Sequence, residues 1–176
     1  MKKRYLKDYV SDETGRLQYR GKYYISQMSE EESKKEGRVQ FFYGIGCLIL
    51  LLAALCIPCQ GNQTIYIVIP VEISLICFWV QLTGSLKLMK SERRMEEKDY
   101  DKVYQSPVQA LTIAIILYVF SLGGEIIGIL MDNTVRRNGD IYFTMILLMV
   151  FVISCVVWNR RRKLIHYVTE EKIKNK

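Results

Sequence analysis

Histidine is almost missing from this sequence. The single one, His166, lies in a basic stretch near the C-terminal end, and one imidazole cannot build a metal site. Proline is scarce, with only Pro58, Pro70 and Pro107 to interrupt a helix. The first 40 residues show no apolar core of a secretory leader, so no cleavable signal is expected and the first apolar run is the expected signal anchor. The most informative absence is charge, because four long stretches have almost none.

Those stretches are Phe41–Cys59, Thr64–Leu86, Val108–Met131 and Ile141–Trp158, with 19, 23, 24 and 18 residues. About 20 apolar residues at 1.5 Å each cross the hydrocarbon of a bilayer. The backbone can satisfy its own hydrogen bonds there only as a helix or a closed barrel. The expected fold is therefore an all-α membrane protein with four transmembrane helices arranged as two antiparallel hairpins. Residues 1–40 form a charged tail, 41–158 the membrane domain with a connector at 87–107, and 159–176 a basic tail.

The net charge is +7, and 23 of the 25 Lys and Arg fall in the two tails and the connector. The Gln60–Gln63 loop has none, and the Met131–Ile141 connection has Arg136 and Arg137. Cytoplasmic segments carry the Lys/Arg excess, so both termini are expected inside, with anionic lipid the partner that explains the basicity. No base-reading module accompanies the charge, which argues against nucleic acid. The expected location is a cell membrane, and specifically a bacterial cytoplasmic membrane.

Local signals sharpen this outline. Tyr5, Tyr9, Tyr19, Tyr23 and Tyr24 punctuate the first tail, and Asp8–Val10 and Leu17–Tyr19 flank a polar stretch ending in Gly15-Arg16, a pattern compatible with a small β-hairpin. Ser29-Glu30-Glu31-Glu32 is a capping box, so a helix should start near residue 29 and run into the first span, loosened at Gly37. The connector mixes both signs of charge from Lys87 to Asp101 and predicts a solvated helix. Ser106-Pro107 predicts the turn back into the membrane, because the residue before proline resists helix. A faint echo links Lys87-Leu88-Met89 and Glu96-Glu97-Lys98 with Lys163-Leu164-Ile165 and Glu170-Glu171-Lys172. Composition alone could produce it.

Two acids interrupt the apolar runs, Glu72 and Glu125. A carboxylate in hydrocarbon is costly and usually marks a protein interior or a functional site. Glu72 lies about 12 Å and Glu125 about 9 Å from the same end of their spans, so the two could meet at one depth. Tyr118, Ser121, Glu125, Gly128 and Asp132 share a helical face, and Gly124 and Gly128 form a small-xxx-small pair suited to close helix packing. Pro70 frees the carbonyl of Tyr66 just before Glu72. Structural hydrogen bonding between helices explains such acids, and so does a cation or proton site.

Cys56-Ile57-Pro58-Cys59 places two thiols at a helix end, where one thiolate could attack and the other resolve. With this motif, the length and the four-helix arrangement are similar to the bacterial quinone-linked disulfide-forming enzymes and to the vitamin K epoxide reductase group. That resemblance implies a redox role for Cys56 and Cys59. Those enzymes relay electrons through a second cysteine pair, and Met131–Ile141 has no cysteine.

Three functional expectations result. The first is a non-enzymatic accessory or interaction subunit with a protein partner on the cytoplasmic side. The second is a small cation- or proton-coupled transporter or channel using Glu72 and Glu125, in which a homodimer would help enclose a pathway. The third is thiol–disulfide exchange at Cys56 and Cys59. No metal or cofactor is called for by any motif.

Overall fold

The computed structural model describes residues 9–11, 17–19, 21–59, 61–131 and 138–171. Of the residues singled out above, Tyr5, Asp8, Gly15, Arg16, Gln60, Asp132, Arg136, Arg137 and Lys172 lie outside them. Among the described residues, four helices are long and apolar enough to cross a membrane. They are α1 (Glu30–Leu55), α2 (Ile65–Met89), α3 (Ser106–Met131) and α4 (Asn138–Ile165). Among the described residues, five short strands accompany them: β1 (Tyr9–Ser11), β2 (Leu17–Tyr19), β3 (Tyr23–Ser26), β4 (Arg94–Glu96) and β5 (Val168–Glu171).

The helices pack in ring order, α1 on α2, α2 on α3, α3 on α4 and α4 back on α1. Their buried residues recur at alternating steps of four and three. In α1 they are Gln40, Gly44, Cys47, Leu51 and Ala54, and in α4 Phe143, Leu147, Val150, Ser154 and Val157. This 3.5-residue period keeps one seam facing its neighbours along a bundle of nearly aligned helices. At most 39% of any helix's apolar window is buried inside the chain, so most of the apolar surface faces outward and is suited to lipid.

α1 starts where its sequence directs. The Ser29 hydroxyl accepts from the Glu32 N–H at 3.2 Å, and the Glu32 carboxylate accepts from the Ser29 N–H at 2.9 Å. The helix passes through Gly37 without a break. A side-chain carbon there would lie 2.5 Å from Met89 Cγ, so this glycine permits close approach of α1 to α2. α1 ends at Leu55, earlier than the apolar run, because the chain must turn through Cys56–Cys59 to reach a 3-10 turn at Gly61–Gln63.

The connector differs from the expected solvated helix. β4 comes first, then one helical turn at Glu97–Tyr100, then a wide π-type turn at Asp101–Gln105 that runs into α3. Ser106 is itself helical, with φ −58 and ψ −42, so the chain does not turn at Ser106-Pro107. The wide turn absorbs the proline: the Ser106 N–H bonds back to the Asp101 carbonyl, five residues earlier. β4 forms because β3 offers it an edge, a tertiary cause that no local pattern announces.

β3 is the centre of a three-stranded antiparallel sheet ordered β4-β3-β5. It therefore joins the N-terminal segment, the connector and the C-terminal segment at one end of the bundle. Glu96 and Glu171 both pair with Tyr23, from opposite sides. Leu88 and Leu164, the leucines of the sequence echo, both enter a small core beneath the sheet with Met95, Tyr100, Val103 and Tyr104. The echo thus corresponds to a repeated arrangement of helix, buried leucine and edge strand. β1 and β2 pair in register Tyr9↔Tyr19 beside this sheet. The Tyr9 hydroxyl donates to Glu96 at 2.5 Å, and the Tyr19 ring contacts both Tyr9 and Tyr23. The bond to Glu96 pushes the Tyr9 phenol up to about 12.

Candidate functional site

Buried charge collects at both ends of the bundle. At the end opposite the sheet, Glu125 of α3 is 3% exposed and Asp140, in the first turn of α4, is 5% exposed. Both carboxylates reach Gly61. Its N–H donates to Asp140 Oδ1 at 3.4 Å, and a side-chain carbon on it would lie 2.8 Å from Glu125 Oε2. Glycine is needed here because any larger residue would displace the Glu125 carboxylate or the Phe143 ring, 3.0 Å away. Asp140 also suits its helix position, since a carboxylate in a first turn complements the helix dipole.

Glu72 is elsewhere. It is exposed on α2, while the buried seam of that helix runs Ile67, Val71, Ser74, Phe78 and Gln81. The structure does not bring Glu72 to Glu125; it brings Asp140 instead. Sequence reasoning missed Asp140 because it lies just before the fourth apolar run. The signal was its spacing, since Asp140 stands three residues before Phe143 on the seam of α4.

Tyr118 and Ser121 join α3 to α2. The Tyr118 hydroxyl donates to Ser74 Oγ at 2.8 Å, and Ser74 donates to the Val71 carbonyl at 2.6 Å. Ser121 donates to the Ile67 carbonyl at 3.2 Å and to that of Leu117 at 3.1 Å. Gly124 lets α2 approach, with Tyr66 3.1 Å from where its side-chain carbon would be, whereas a side-chain carbon at Gly128 would meet nothing within 4 Å. Cys56 is exposed and Cys59 is buried, both as free thiols. The Asn62 side-chain amide donates to the carbonyls of Ala54, Leu55 and Ile57 at 2.9, 3.2 and 2.6 Å. It thereby adds a donor to carbonyls at the end of α1 and in the turn that follows, where helical N–H partners run out; the Ala54 carbonyl also accepts from the Ile57 N–H at 3.1 Å.

At the sheet end the buried charge is Arg161. By sequence it belongs to the basic tail, but in the structure it is fully buried. It continues the α4 seam, four residues after Val157 and three before Leu164. Its Nη1 donates to Gln40 Oε1 and to Ser85 Oγ, the latter at 3.3 Å, and Nη2 donates to the Val103 carbonyl at 2.7 Å. Val103 stands four residues before Pro107, so its carbonyl is the one that the missing proline N–H leaves without its helical partner. Arg161 supplies the replacement. Gly84 makes room: a side-chain carbon there would lie 2.2 Å from Pro107 Cγ and 2.9 Å from Arg161 Nη2. One guanidinium thus ties α1, α2, the entry to α3, and α4 together beneath the sheet.

Among the described residues, no group of three or more His, Cys, Asp or Glu side chains could hold a metal ion. A broad cleft of about 800 Å³ opens between the sheet and the end of α2, lined by Lys87, Lys90, Lys102, Met95 and Glu96 among others. No protein-family model, curated protein or solved structure matches this chain.

Proposed function

We propose that this is a multi-pass membrane protein that acts as a non-enzymatic accessory or interaction subunit, with its termini and connector in the cytoplasm of a bacterial cell. The observation that carries this reading is the sheet. Three segments far apart in sequence meet in one folded unit with its own small core. Charged tails that served orientation alone would not need such a unit. Its edge strands β4 and β5 carry exposed Arg94, Thr169 and Glu170, with exposed Arg93 just before β4, a surface suited to a protein partner. The Lys/Arg asymmetry supports the cytoplasmic placement. A photo-crosslinking side chain at Arg93 or Thr169 in cells should give discrete adducts that the same group at Leu148 in α4 does not. Tyr24→Asp, which breaks the stack of Tyr24 on Tyr100, should remove them. Absence of adducts from the sheet positions, or turnover by the purified chain without another subunit, overturns the reading.

A second reading, cation- or proton-coupled transport, is favoured by the approach of Glu125 and Asp140 to one glycine. It predicts that Glu125→Gln abolishes ion-dependent flux in liposomes. Absence of flux in the wild-type chain removes it.

A further inference from the structure

Glu72 occupies an unusual place. Within the four apolar stretches, Glu72 and Glu125 are the only Asp, Glu, Lys or Arg side chains, and Glu125 is buried. Glu72 is exposed, which makes it the one such side chain that the described bundle leaves facing outward. Its neighbours along the outer face of α2 are Ile65, Ile69, Ile76 and Trp79, all exposed. α1 and α3 flank α2, and among the described residues no other helix packs closely on it.

Lipid tails cannot hydrogen-bond a carboxyl, and a charged side chain at the centre of a membrane helix costs about 2.5–3.5 kcal/mol on insertion scales. Whatever covers this face must therefore offer a hydrogen-bonding group at the depth of Glu72. A second copy of the chain does so by symmetry. Copies inserted in the same orientation present α2 in parallel, and in a two-fold contact a residue at the axis meets itself. A carboxyl bearing its proton both donates and accepts, so two of them satisfy each other. Ile69 and Ile76, three residues before and four after, would close the pair off from lipid. A single polar position in an otherwise apolar seam also fixes register, as it does in coiled coils.

We propose that the chain forms a parallel homodimer through the outer face of α2, with the two Glu72 carboxyls hydrogen-bonded across the two-fold axis. This contact is independent of the sheet and of any partner bound there.

The test uses the full chain carrying Cys56→Ser in phosphatidylglycerol–phosphatidylcholine vesicles. The substitution removes the one fully exposed native thiol. Ile69→Cys and Ile76→Cys should each give disulfide-linked dimers on mild oxidation. Leu148→Cys, exposed on α4 diagonally across the bundle, should not. In single-molecule photobleaching of the chain without added cysteines, Glu72→Leu should weaken dimerisation about tenfold. Glu72→Gln, which keeps a donor and an acceptor, should stay within about threefold of wild type. Circular dichroism confirms that each variant folds. The proposal is overturned if the α2 cysteines crosslink no better than Leu148→Cys, if the wild-type chain is monomeric in vesicles, or if Glu72→Leu dimerises like wild type.

Discussion

At the sheet end of the bundle the buried charge is a guanidinium, whereas at the loop end it is carried by carboxylates. Arg161 distributes its donors over the Gln40 and Ser85 side chains and the Val103 carbonyl. Glu125 and Asp140 converge on a single small residue, Gly61. One planar group with five donors can bind several elements at once, so the arginine acts as a joint. Two acceptor groups at one backbone position leave a tight, polar corner instead. The difference teaches that equal burial of polar groups serves different ends: the first arrangement joins several elements, and the second packs two carboxyl groups against one turn.

The largest effect expected from breaking this contrast is at Arg161. Arg161→Ala strands the Val103 carbonyl and the Gln40 amide together and should cost about 3 kcal/mol of stability. Arg161→Lys should recover less than half, because an ammonium lacks the planar fork. Thermal unfolding in nanodiscs reads both; an unchanged midpoint for Arg161→Ala would show that the joint is dispensable. At the opposite end, Gly61→Ala should cost about 2 kcal/mol by displacing Glu125 or Phe143. If it unfolds like wild type, the corner is looser than its 2.8 Å approach implies. Asn62→Ala should cost about 1 kcal/mol, since it removes the amide that closes α1, and the same unfolding measurement checks it.

The smallest effect is at Tyr9. The neutral phenol donates to Glu96, which raises its folded pKa from 10.0 to about 12. The stabilisation from this contact is fully present below pH 10.0 and is lost as pH rises through about 12, because the unfolded chain releases this proton first. A phenolate absorbance titration should show a high-pH step that Tyr9→Phe removes. Persistence of that step in the variant would assign it to another tyrosine.

Much of the membrane part was legible in the sequence. Apolar length alone marks four spans, and the Ser29–Glu32 box marks the start of α1 to the residue. Arg161 was hidden because it stands among Arg160, Arg162 and Lys163, where a positive charge at a membrane boundary has a ready explanation. Only its phase, four residues after Val157, separates it from its neighbours. The outward direction of Glu72 was hidden for the same reason, since it stands one residue off the buried Val71. The sheet was hidden more deeply. β4 is three residues long and charged at both ends, and it forms because β3 is there to pair with.

The central position of β3 sets an order of events during synthesis. β3 leaves the ribosome first, but its second edge is filled by β5, about 140 residues later. At about 5–20 residues per second that interval is on the order of ten seconds. Through it, one side of β3 stays open while the membrane helices are still being delivered. The sheet therefore cannot close until β5 and the four helices that precede it have been made.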